Sequence, residues 1–336
     1  THNRPDEPLV GEVIGQRFSI KERLDATGQS DVYRAEHVLI HKDVALKVSR
    51  TGLDPGDQVV ARFQRVARVA TQLNHPNCIK INDFGLDDRG FVFLAMEFGA
   101  GKNLQHILDK DGPLPIDEVV GIGLQMLEGL GEAHRRGILH TELQPKYVMV
   151  DQSTGTPAVK LLGFGLGQLM KGIEAGIPGP SVIGPDAGQF AAPELLRGIA
   201  PADHRADLFT VGAVLFYATT GQLPWPEAAD DPRSRIDLAP PRASQVRTDG
   251  AVTMGLDRVL SQALDPEPRR RFSDAEEMAS ALRRALKEDP DEVSTVATVH
   301  KTFGRYKLLR TIARGGMGEP HLAVTQTLPG PTKGCA

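Results

Sequence analysis

Hydrophobic periodicity changes once along this chain, and that change constrains the fold more than any other feature. Between residues 18 and 98 the apolar positions alternate or fall in short blocks: Phe18, Ile20 and Leu24, then Val32, Tyr33 and Ala35, then Val44-Ala45-Leu46-Lys47-Val48, and later Cys78 to Phe84 and Phe91 to Phe98. A period of two means strands, and Asp87-Asp88-Arg89-Gly90 reads as the turn between the last two. One helical stretch interrupts them, at Val59, Phe63, Val66, Ala70 and Leu73, and Asn74-His75-Pro76-Asn77 stops it. From Asn103 onward the spacing is helical, with amphipathic segments at about 116–136, 204–220, 252–264 and 274–287. Strands first and helices second make an α+β chain: a small sheet with one helix on it, then a mainly helical body.

The 336 residues, 40% hydrophobic and 24% charged, are enough to bury a core. A net charge of −4 supplies no basic field, so nucleic acid is not an expected partner. Cys78 and Cys335 match no metal-ligand spacing, which fits a reducing compartment. No run approaches the ~18 apolar residues of a membrane helix, and Thr1 to Glu7 is polar without an apolar stretch behind it. The expectation is a cytoplasmic protein that does not engage membranes.

Gly165 to Gly188 is a Gly/Pro-rich loop longer than a connection requires, and such loops carry function. Lys287 to Thr302 is polar and aperiodic, a linker. Beyond it the chain repeats itself: Arg17-Phe18-Ser19-Ile20 through Tyr33-Arg34-Ala35 aligns with Arg305-Tyr306-Lys307-Leu308 through His321-Leu322-Ala323 at a constant offset of about 288 residues. The expected organisation is an N-terminal extension at 1–16, a domain at 17–286 divided at about 99/100, a linker at 287–302 and the truncated start of a second copy at 303–336.

In Val44 to Val48, Ala45 and Lys47 share the strand face opposite Val44, Leu46 and Val48, so Lys47 points where a ligand would lie. Other landmarks follow in order: His75-Pro76-Asn77, Met96-Glu97-Phe98-Gly99, Ile138-Leu139-His140, Phe164-Gly165, Ala192-Pro193-Glu194, Asp207 before Gly212, and Arg271. Over residues 17–286 this ordered set resembles the bacterial branch of the eukaryotic-type (Hanks-type) serine/threonine protein kinases. The resemblance implies a two-lobed fold, a β-rich N-lobe at 17–99 and a helical C-lobe at 100–286, with a nucleotide cleft between them. It implies nucleotide contacts from Lys47, Leu24, Val32, Ala45, Glu97 and Gly99, with Met96 and Leu161 also apolar in that slot. His140, Asp207 and the pair Glu194 and Arg271 take structural roles.

The chemistry-bearing positions depart from the family pattern. The loop Leu24 to Val32 has Asp25, Thr27 and Ser30 where the family has glycines, and Asp25 and Asp31 would oppose a phosphate; an ordinary hairpin turn is the other reading. Val66 stands where a glutamate would pair with Lys47, which reads equally as a surface lysine. In His140-Thr141-Glu142-Leu143-Gln144-Pro145-Lys146-Tyr147, Glu142 replaces the aspartate base, Thr141 an arginine, Gln144 a lysine and Tyr147 a metal-binding asparagine. In Leu161-Leu162-Gly163-Phe164-Gly165, Gly163 replaces the metal-binding aspartate, so no protein ligand for Mg²⁺ remains. Between Gly163 and Glu194 only Ser181 could be phosphorylated, Ala187 stands where the family usually has a threonine, and Thr141 in place of the arginine could not clamp a phosphate, so phosphorylation control of this loop is not expected. The second copy, Ile312-Ala313-Arg314-Gly315-Gly316-Met317-Gly318-Glu319, keeps two of the three glycines, with Pro320 following and Cys335 at the position of Lys47.

The expectation is a pseudokinase, holding ATP weakly or without metal and regulating or scaffolding a protein partner, a kinase domain in tandem or in trans. Two alternatives stay open: an active kinase with Glu142 as base, and a nucleotide-binding switch without phosphotransfer.

Overall fold

The computed structural model describes residues 9–26, 30–52, 64, 67, 68, 70–99, 101–153, 155–164, 188–198, 202–287, 302–303, 306–311 and 321–325. They belong to two compact units, Thr1–Lys287 and Glu288–Ala336.

The first unit opens with β1 (Val13–Ile14), β2 (Phe18–Ala26), β3 (Ser30–His37), β4 (Lys42–Gly52), β5 (Ile81–Leu86) and β6 (Phe91–Glu97), a six-stranded antiparallel sheet of order β1-β2-β3-β4-β6-β5. β6 is buried on both faces. Phe91, Phe93 and Ala95 join a core with Ile14, Phe18 and Tyr33, while Val92, Leu94 and Met96 join another with Ala67, Ala70 and Ile79. A strand between two layers reads as a continuous apolar run rather than an alternation.

Two sequence expectations shift here. The segment at 1–16 is not wholly an extension, because Leu9 and Ile14 are buried in this core and β1 pairs with β2. The strand placed at Cys78 begins at Ile81: Ile79 N–H bonds to Leu161 O and Leu161 N–H to Asn77 O, which ties the Cys78 segment elsewhere. In the expected helix, residues 64, 67, 68 and 70 are helical with Ala67 and Ala70 buried, while Val59, Phe63 and Val66 lie outside the described residues.

The rest of the unit is helical around a small sheet of β7 (Lys102–Asn103), β8 (Val148–Asp151) and β9 (Ala158–Leu161). Its helices include α1 (Leu104–Asp111), α2 (Ile116–Arg135), α3 (Arg205–Thr220), α4 (Met254–Ala263) and α5 (Ala275–Ala285). Side-chain caps start three of them: Asn103 Oδ1 accepts from His106 N at 2.8 Å, Thr253 Oγ1 from Leu256 N at 3.1 Å, and Asp274 Oδ1 from Glu277 N at 2.8 Å. α3 is apolar nearly all round, with Leu208, Phe209, Val211, Val214, Leu215 and Phe216 buried, the signature of a central helix. At Gly212 a Cβ would lie 2.7 Å from Ala263 Cβ, so the glycine lets α3 and α4 close up. Among the described residues no helix is long and apolar enough to cross a membrane.

The second unit contains β10 (Thr302–Phe303), β11 (Tyr306–Thr311) and β12 (His321–Thr325), antiparallel in that order. Leu308 pairs with Ala323 as Ile20 pairs with Ala35, and the ladder slips at Leu308/Arg310 as it slips at Ile20/Glu22. Residues 312–320, Cys335 and all but the ends of the 287–302 segment lie outside the described residues.

Candidate functional site

The β-strand period aims Ala45 and Lys47 away from the core formed by Val44, Leu46 and Val48. They project into a cavity of about 750 Å³, which Leu24, Val32 and Met96 also line. Leu24 does so while 47% exposed, at the cavity mouth. Glu97, Phe98 and Gly99 carry the chain along one edge, and Met149, Leu162 and Gly163 line the opposite wall.

Two residues of that wall differ from expectation. Leu161 is fully buried with Val159 in the helical core, so Leu162 lines the cavity in its place. Met149 was not anticipated, although its place between buried Val148 and Val150 is a period-two signal that would have found it.

Asp31 also turns the other way. It sits on the face of β3 opposite Val32, is buried, and accepts from Arg50 Nη2 at 2.8 Å and from the Tyr33 hydroxyl at 3.1 Å. It therefore cannot oppose a phosphate. Asp25 does line the cavity, its carboxylate accepting from Ala26 N at 2.8 Å. Ser30 is buried, and Thr27 lies outside the described residues.

The Glu97 side chain is committed locally. Its Oε1 accepts from Lys80 N at 3.0 Å and Lys160 Nζ at 2.8 Å, tying β6 to β9. Burial pushes this carboxyl up, but those two donors and their charge more than offset it, leaving the group below its ordinary value.

On the facing side, Asp207 at the start of α3 organises the loop that follows α2. Oδ2 accepts from His140 N at 2.8 Å and from His134 Nε2 at 2.8 Å, and Oδ1 accepts from Thr141 N at 2.7 Å. The bonds hold Thr141 at φ 64°, a left-handed conformation unfavourable for a β-branched residue. The His140 ring is buried and donates from Nε2 to Leu162 O at 2.7 Å; burial lowers its pKa and keeps it neutral. Glu142 is 3% exposed and does not line the cavity.

Lys146 and Tyr147, from the 3₁₀ turn Pro145–Tyr147, do line it. A Cβ at Gly163 would lie 3.9 Å from the Tyr147 ring and 3.9 Å from His140 Cε1. The aromatic ring and the bare glycine are thus neighbours, and neither offers the hard oxygen ligand that Mg²⁺ takes. Among the described residues no group of three or more His, Cys, Asp or Glu could hold a metal.

Glu194 and Arg271 meet as an ion pair in which the arginine is wholly buried. Arg235, which sequence reasoning missed because an arginine in an aperiodic Pro/Asp-rich loop carries no pattern, donates from Nη2 to Gly188 O, Gln189 O and Ala191 O. Its guanidinium lies 4.9 Å from the Trp225 ring centroid and 5.5 Å from that of Phe209. Residues 165–187, with Ser181 and Ala187, lie outside the described residues.

A β-rich lobe and a helical lobe meeting at an apolar cavity entered by a strand lysine define the protein kinase class of fold. Comparison with known proteins agrees: residues 18–299 match the model of the protein kinase domain family. The chain is 34% identical over 290 residues to the serine/threonine-protein kinase pkn3 of Myxococcus xanthus, covering 84% of this chain and 53% of that protein. It is 31% identical over 294 residues to PknB of Mycobacterium leprae, covering 85% and 45%. The crystal structure of the Mycobacterium tuberculosis PknI kinase domain superposes with a TM-score of 0.65 at 29% identity, covering 83% of this chain and 100% of that one. The chain belongs to the protein kinase domain family, and it spans about half the length of these two curated relatives.

Proposed function

We propose that this kinase domain binds nucleotide without transferring phosphate and acts through a protein partner. One observation carries the reading: Tyr147 and Gly163 stand side by side where the family resemblance puts the two metal ligands. Phosphoryl transfer depends on positioning and charge neutralisation, to which the metal contributes several kcal/mol. Each 1.4 kcal/mol is about tenfold in rate, so its loss takes an enzyme of ~1–100 turnovers per second towards none.

The burial of Glu142 supports the same reading, because a base must reach the hydroxyl it deprotonates. An active kinase that uses Glu142 gains nothing from this geometry. The apolar cavity with Lys47 at its wall supports retention of a nucleotide such as ATP.

For the partner, the recurrence of the β2–β3 register in β11–β12, slip included, supports a second domain of the same family in tandem. A kinase domain in cis or in trans is therefore the proposed object of regulation or scaffolding.

Ligand binding raises stability by RT ln(1 + [L]/Kd), so the melting shift that ATP produces reports its affinity. The expected shift is the same in Mg²⁺ and in EDTA. A shift that grows severalfold with Mg²⁺ would overturn the metal-free reading, and no shift in either condition would overturn nucleotide binding.

A further inference from the structure

The charge of the cavity decides which part of a nucleotide it can hold. Among the described residues four carboxylates line it, Asp25, Glu97, Asp109 and Asp151. Three ammoniums face them, Lys47, Lys146 and Lys160. With His106 neutral, the balance is one negative charge and there is no surplus of positive charge.

The ammoniums are already engaged. Lys160 Nζ is bonded to Glu97 Oε1 at 2.8 Å, Lys146 Nζ lies 5.6 Å from the centroid of the Tyr147 ring, and Lys47 and Lys146 each have a further contact of their own. Three of the carboxylates are held differently. Asp25 accepts from Ala26 N at 2.8 Å, Asp109 from Gln105 Nε2 at 2.7 Å and Asp151 from Ser153 N at 2.9 Å. These donors are neutral, so they fix each carboxylate without cancelling its charge. The three come from separate elements, β2, the last turn of α1 and the end of β8, and so place negative charge on more than one side of the cavity.

A metal-free triphosphate is a polyanion, and taking it out of water requires compensating positive charge. Neither Tyr147 nor Gly163 offers a ligand for a cation that would supply it. The walls instead suit the uncharged part of the molecule: Leu24, Val32, Ala45, Met96, Met149 and Leu162 are apolar.

We infer that the cavity holds a nucleotide by its nucleoside portion and gains nothing from the phosphates, so that an uncharged nucleoside is at least as good a ligand as ATP, with Asp25, Asp109 and Asp151 setting the preference. This rests on the nucleotide-binding reading above and specifies which part of the ligand is bound. Asp25 and Asp109 are exposed, so their repulsion of a phosphate is screened by salt.

The test is calorimetric titration of the whole chain in EDTA with adenosine, ADP and ATP, at about 0.02 M and about 0.5 M salt. Wild type is compared with Asp25→Asn/Asp109→Asn, each first shown to melt cooperatively. At low salt ATP is expected to bind about threefold more weakly than adenosine, and salt to close the gap by strengthening ATP. The double variant is expected to strengthen ATP about threefold at low salt, with adenosine within about twofold of wild type. ATP that binds more tightly than adenosine, or that weakens as salt rises, would overturn the inference while leaving nucleotide binding intact, since either marks a site that attracts phosphate. Unchanged ATP affinity in the double variant would overturn the role of these carboxylates. Wild type that binds none of the three ligands would remove the nucleotide reading and this inference with it.

Discussion

The Arg271 guanidinium meets the Glu194 carboxylate through two parallel hydrogen bonds, Nη1 to Oε1 at 2.7 Å and Nη2 to Oε2 at 2.8 Å. The same arginine donates from Nε to Asp265 O at 2.7 Å and from Nη1 to Arg205 O at 3.0 Å, and lies 4.8 Å from the Phe209 ring centroid. One side chain thus ties the turn Pro193–Leu196 to α3 and to the chain after α4.

Its side chain is wholly buried, so breaking the pair strands a charge out of water. Glu194→Gln is expected to lose about 3–5 kcal/mol of stability in urea denaturation. A loss under about 1 kcal/mol, the value of a surface pair, would contradict this placement.

Acid should weaken the first unit. Burial lowers the His140 pKa below its ordinary 6.5, so the folded state binds fewer protons than the unfolded state. The stabilisation is complete well above 6.5 and is lost progressively as pH falls below 6.5 towards the depressed folded value. Burial raises the Asp207 pKa, but the hydrogen bond and charge of His134, with His140, more than offset it and hold it below the ordinary value. Its contribution is lost only in stronger acid. Denaturation between pH 7 and 5 is expected to show a falling stability that His140→Gln makes shallower; identical slopes would show that His140 does not carry the effect.

Arg235 is buried with Nε and Nη1 lacking a hydrogen-bond partner among the described residues, and burial pushes its pKa down to about 10. An apolar side chain of similar length would keep the contacts with Trp225 and Phe209 and relieve those two atoms. Arg235→Met is therefore expected to fall within about 1–2 kcal/mol of wild type, and Arg235→Ala, which leaves a void, about 2–4 kcal/mol below it. Equal losses in thermal unfolding would mean that the carbonyl bonds to 188–191, not the packing, set the cost.

Cys78 is buried, and burial, with the nearby Glu132 charge, pushes its thiol up to about 12. Since the thiolate is the nucleophile, it should resist iodoacetamide in the folded chain and react in urea. In a Cys335→Ser background, mass spectrometry is expected to find no adduct before unfolding; rapid native labelling would show that Cys78 is accessible.

The two-lobed architecture was legible in the sequence because the periodicities of β4, α2 and α5 follow from packing on one face. Leu161 and Leu162 were not separable, since two adjacent leucines at a strand end hide where the alternation points. Asp31 was misread because its proximity to a loop outweighed its strand parity, and its partner Arg50 is remote in sequence. Arg235 and Lys146 sit in non-repetitive turns, where no period exists and tertiary contacts alone decide what a side chain meets.

In the function proposed above, Tyr147 and Gly163 leave a kinase fold that binds nucleotide but does not transfer phosphate. The most direct measurement is incorporation of label from γ-³²P ATP into the chain and a generic protein substrate, in Mg²⁺ or Mn²⁺, with Lys47→Ala as control. The result expected is label at the level of the control in both metals. Label well above that of Lys47→Ala would make the chain an active kinase and overturn the pseudokinase reading.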